Sequence, residues 1–121
     1  MTQCLIVESN PEDRHRLQDL LAAYGFEVDA SDSAQAALDQ CRRWAPDIVL
    51  LPQRLSTMDA VAFLRLLRRQ TGRRAPVVLL VGDTGDPVEI GRAIWEGAAE
   101  CLMKPFDAHV LDLKLRQTGI V

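Results

Sequence analysis

Two stretches, DIVLL (47–51) and PVVLLV (76–81), are near-continuous in Val, Ile and Leu. A strand with one wet face alternates apolar and polar side chains. Unbroken runs of this length instead mark strands covered on both faces, as in a parallel sheet. Three further runs, CLIV (4–7), FEVDA (26–30) and ECLM (100–103), bring the set to five. Segments with apolar residues at helical spacing separate them, and parallel neighbours need such crossovers.

The helices carry readable start and stop signals. Asn10-Pro11-Glu12-Asp13 sets Asn at an N-cap, Pro at the first helical position and acids in the first turn. Leu17, Leu20, Leu21 and Tyr24 then recur at helical spacing, and Gly25 closes the segment. A second helix follows Ser33, with Ala34, Ala37, Leu38 and Cys41 inward. The third runs from roughly 58 to 70 over Ala60, Phe63, Leu64 and Leu67. Asp86-Pro87 starts a fourth, whose expected core stripe is Ile90, Ala93, Ile94 and Gly97, and a fifth follows Asp107 with Leu111 and Leu115 inward. Alternating βα units in 121 residues predict one α/β domain, a doubly wound three-layer sandwich with strand order 2-1-3-4-5. Function in such a sheet sits at the carboxyl ends of the strands. Here those ends are Glu8-Ser9-Asn10, Pro52, Val81-Gly82 and Lys104-Pro105.

Composition narrows the function classes. A net charge of −3 argues against a dedicated nucleic-acid binder. No apolar run approaches the ~18–20 residues of a membrane span, and no signal peptide precedes the first strand. Cys4, Cys41 and Cys101 lack metal-ligand spacing and read as small buried hydrophobes of a cytoplasmic protein. VESNPED follows the first strand where a dinucleotide binder would carry a Gly-rich loop, so no cofactor is expected.

Three segments resemble the receiver domain of bacterial two-component response regulators, the CheY-like fold. They are LIVESNPEDRHRLQDLLAAYGFEV, PDIVLLPQRLSTMDA and GAAECLMKPF, and the likeness extends over nearly the whole chain. The resemblance implies two acids after the first strand to hold Mg²⁺ and an Asp ending the third strand to accept a phosphoryl group. It further implies a Ser or Thr after the fourth strand, and a Lys, with the following Pro usually in cis linkage. This chain offers Glu8 and Ser9, then Pro52, Val81 and Lys104. Only Lys104 matches outright.

Proline has no nucleophile for an acyl phosphate, and Glu8 is the one carboxylate left in this cluster for a metal. Asp47 begins the strand that Pro52 ends, about 16 Å away at ~3.3 Å per residue. Asp59, Asp83 and Asp86 lie on loops nearer the same face. The expectation is therefore a degenerate, non-catalytic pseudo-receiver without metal, in which Glu8 and Lys104 pair directly. An unusual acid acceptor is one alternative. Binding of a small anion by Lys104 and the first helix N-terminus is another.

With the pocket silent, function should lie on a surface, for dimerisation or for docking a partner or output domain. Opposite the expected stripe of the fourth helix project Val88, Gly91, Arg92 and Trp95, and Leu113 points away from the core of the fifth. The resemblance implies that the fourth helix, fifth strand and fifth helix form the partner face. That makes Val88, Arg92, Trp95, Cys101, Val110 and Leu113 the interface candidates. RLLRRQTGRR (65–74) reads as a solvated face or, less simply, as a site for an acidic partner. His15 and His109 read as surface residues, and Trp44 as packing the end of the second helix. No nucleic-acid, membrane or small-molecule partner is expected for these residues, which make a single domain and could be the front of a longer protein.

Overall fold

The computed structural model of the chain describes residues 1–83 and 85–121. Five strands form one sheet: β1 (Gln3–Val7), β2 (Glu27–Ser31), β3 (Ile48–Pro52), β4 (Val77–Gly82) and β5 (Glu100–Met103). All neighbours are parallel and the order is β2-β1-β3-β4-β5, as the sequence predicts. The helices are α1 (Pro11–Ala22), α2 (Ala34–Arg43), α3 (Ala60–Thr71), α4 (Pro87–Trp95) and α5 (Ala108–Thr118), and a short 3₁₀ turn, Gly72–Arg74, follows α3.

Strand periodicity sorts the core into two layers. Leu5, Val49, Leu51, Val78 and Leu80 face α2, α3 and α4, where Phe63 is fully buried. Cys4, Ile6, Leu50, Leu79 and Leu102 face α1 and α5. Because β1, β3 and β4 are covered on both sides, almost every residue of the two apolar runs is buried. Truncating one such leucine to alanine costs about 2–5 kcal/mol. Asn10 Oδ1 accepts the N–H groups of Glu12 and Asp13 at 3.0 and 3.1 Å, which aims the first turn of α1 at the strand ends. The turn after α1 needs a positive φ, and Gly25 supplies it at +79°.

Helix α3 begins at Ala60 rather than near 58, because the Asp59 carboxylate caps it by accepting from Ala62 N–H. In α4 the expected stripe is only half correct. Ala93 is buried and Ile90 half-buried, but Ile94 is 46% exposed and Gly97 lies on the surface. Glu96 is drawn inward instead. At about 100° per residue this is a roll of roughly 50° from the expected orientation. Two arginines of α3 account for it, since they supply partners that a buried carboxylate requires. Trp44 caps the end of α2 but keeps 39% of its surface exposed. Among the described residues no helix is long and apolar enough to cross a membrane.

Candidate functional site

The strand ends bring Glu8, Pro52, Val81 and Lys104 to one crevice. Pro52 pairs with Val81 in register across β3 and β4, so neither offers an oxygen where the sheet delivers side chains to that crevice. Val81 is buried, Pro52 half-buried, and Ser9 turns to solvent. Glu8 is buried and positioned twice over: its Oε2 accepts from Asn10 N–H at 3.2 Å, and its carbonyl accepts from Arg14 at 3.0 Å.

The Lys104 ammonium donates to Glu8 Oε1 at 3.1 Å and, equally, to Asp13 Oδ2 at 3.1 Å. Burial works against its charge, but the carboxylates of Asp13 and Glu8 outweigh that and hold the ammonium above its ordinary pKa. Asp13 was legible in the sequence only as a first-turn acid of α1. Its part in the pocket follows because that turn packs against the ends of β1 and β5. The Lys104–Pro105 peptide is cis, as the resemblance implies.

Asp59, Asp86 and Asp47 are committed elsewhere or distant. Asp59 and Asp86 cap α3 and α4. Asp47 accepts from Gln3 N–H at the opposite end of the sheet. Gln53, the residue after Pro52, folds over β4 and accepts from Asp83 N–H at 3.0 Å, and a β-carbon added at Gly82 would meet its Oε1 at 2.6 Å. Mg²⁺ with a phosphoryl group does not fit this donor set. The Glu8 and Asp13 carboxylates already hold an ammonium between them, and no group of three or more Asp, Glu, His or Cys suited to a metal occurs among the described residues.

The interface candidates fall on different surfaces. Trp95 is 87% exposed and Val88 61%, and with Arg92 they line a groove of about 880 Å³ between α3 and α4. Ile94, expected inside, is exposed on the flank of α4 turned away from α3, and Leu113 of α5 is also exposed. Cys101 is a correction. It is buried under α4 with its Sγ 3.5 Å from Met103 Sδ, because alternation along β5 turns it into the core. Val110 is half-buried against the layer beneath α5, since it follows the same helical stripe as Leu111.

All three cysteines are free and buried, and burial pushes the Cys4 and Cys41 thiols up to about 12 and about 11. That is the environment of inert apolar side chains. His15 and His109 are exposed.

Sequence reasoning also missed the partners of the arginine cluster. Arg65 Nε and an Arg68 terminal nitrogen donate to the two oxygens of Glu96 at 2.9 and 3.0 Å, joining α3 to α4. Acid-to-arginine spacing within one helix could not reveal this pairing, because it depends on the roll of α4.

The sequence pattern of the response regulator receiver domain matches residues 4–116. The DNA-binding response regulator MtrA of Mycolicibacterium smegmatis is 31% identical over 112 residues, covering 93% of this chain and 48% of that protein. The chain thus spans about half the length of the curated relatives it matches. Among solved structures, the chemotaxis response regulator CheY4 of Vibrio cholerae superposes with a TM-score of 0.89 at 21% identity, covering 98% of each chain. The receiver domain of the sensor histidine kinase PA1611 of Pseudomonas aeruginosa, solved with magnesium in its active-site cleft, superposes at 0.84 with 23% identity, again over 98% of both.

Proposed function

Because the chain belongs to the response regulator receiver domain family, we propose that it is a pseudo-receiver that signals by contact, independently of aspartate phosphorylation. One observation carries this reading: Pro52 ends β3 beside Val81, at the same end of the sheet as a lysine whose charge is already answered by Glu8 and Asp13. A carboxylate nucleophile is required for an acyl phosphate, and Pro52 provides none. The pair of carboxylates on Lys104 also opposes capture of a free anion there.

Incubation with Mg²⁺ and acetyl phosphate, or with beryllofluoride, tests the reading. The expected result is no covalent label and no Mg²⁺-dependent spectral change at the pocket. Stoichiometric phosphate on any residue overturns it. A second reading draws on Asp13, a half-exposed carboxylate beside Lys104 that could serve as an unusual acceptor. Label on that residue, lost in Asp13→Asn, would establish it.

Contact would run through the face formed by α4, β5 and α5, where Ile94 and Leu113 leave apolar surface exposed. It would serve for dimerisation or for docking an output domain of the kind its DNA-binding relatives carry, with no nucleic acid touched by this domain itself. Ile94→Glu with Leu113→Glu should halve the sedimentation mass of a dimer or release a docked domain. An unchanged mass and domain arrangement would count against this face.

A further inference from the structure

The arginines of α3 and the groove they border point to a second surface, independent of whether the pocket has lost phosphotransfer. Residues 59–75 and 87–96 hold six arginines against three acids. The remainder of the chain holds eight basic against fourteen acidic residues. A chain of net charge −3 has thus gathered its positive charge on the α3–α4 side.

The acids of this side are spoken for. Asp59 caps α3, Glu89 pairs with Arg54 at 2.8 Å, and Glu96 is held by Arg65 and Arg68. Arg69, Arg73, Arg74 and Arg92 make no ion pair among the described residues. Four guanidiniums therefore keep their donors for an acceptor from outside.

Of these Arg92 lines the groove itself, opposite Arg65, and Arg69 follows one helical turn after Arg65. The groove has small side chains at its base, Ala60 and Ala93, and Val88 and Trp95 on the wall that α4 provides. Its size admits one or two bulky side chains of an incoming segment, and an exposed tryptophan next to arginine has the composition of a binding hot spot.

We propose that the α3–α4 groove docks an acidic segment of a protein partner, which seats an apolar side chain beside Trp95 and sets carboxylates against Arg92 and Arg69. A nucleic acid is the weaker fit. A phosphate backbone would use the arginines but leave the apolar cleft empty.

The test is photo-crosslinking with the whole gene product in its own cells, using Val88→p-benzoylphenylalanine, and His15→p-benzoylphenylalanine as the control site. The expected adduct maps to a net-negative peptide carrying an aromatic or aliphatic residue. Its yield should fall at least tenfold when Arg69→Glu and Arg92→Glu are added, and persist with Arg69→Lys and Arg92→Lys. Equal thermal midpoints for the two double variants exclude misfolding as the cause. Four results overturn the proposal: no adduct above the His15 control, adducts on neutral or basic peptides, adducts on a second copy of this chain, or nuclease-sensitive adducts.

Discussion

At the strand ends one ammonium is held between two carboxylates, whereas between α3 and α4 one carboxylate is held between two guanidiniums. The buried member is a glutamate in both, Glu8 or Glu96. What differs is where the partners point. Lys104 turns inward and spends two of its three donors on the pocket, so that triad closes on itself. Arg65 and Arg68 are about 60% exposed and spend one nitrogen each, so theirs faces outward with donors left over. Similar ion pairs thus close one region on itself and leave the other open to solvent.

Lys104→Met should break the comparison hardest. It leaves the buried Glu8 carboxylate without its cation, which costs about 3–5 kcal/mol in a sealed interior. With Lys104 29% exposed, water moderates this to about 2 kcal/mol, read as a lower urea midpoint. Adding Glu8→Gln should recover part of the loss, which a purely steric role for Lys104 would not allow. The same lysine gives an alkaline signature. Its folded pKa is raised, so its contribution is complete below the ordinary value of 10.5 and fades as pH climbs through the higher folded value. Unfolding midpoints followed above pH 10 should fall more steeply for the native chain than for Lys104→Met.

Glu96→Gln should cost less, about 1–2 kcal/mol, because it keeps an acceptor in place and its arginines are already solvated. Amide exchange should then quicken in α4 and leave α1 unchanged. The smallest effect belongs to Arg54→Ala. Its pair with Glu89 spans the same helix flank but lies in solvent, and its loss should shift stability by no more than about 0.5 kcal/mol. A larger change would show that exposed and buried braces on this side act as one network.

Much of this arrangement is readable in the chain. DIVLL and PVVLLV dictate doubly covered strands, Asn10, Ser33 and Asp86 sit at N-caps, and spacing alone places Pro52 and Lys104 at one edge of the sheet. These features are local or follow from period. Asp13 and Glu96 escaped because their partners lie 91, 31 and 28 residues away. Cys101 joined the interface candidates because the resemblance sets the fifth strand in the partner face, but its other reading, as a small buried hydrophobe, is the one strand alternation enforces. Ile94 went inside because hydrophobicity suggested a stripe that the α3 arginines displace.

The Lys104–Glu8 contact closes a loop of 96 residues and ties the first βα unit to the last. A contact of that span can form only after the intervening sheet has assembled, since its ends meet at an entropic cost that local structure must first reduce. It therefore belongs to the late side of the folding barrier. Its strength governs how slowly the assembled domain comes apart, while leaving the rate of assembly nearly untouched. In kinetic terms, the ion pair at the strand ends acts as a clasp on the lifetime of the fold.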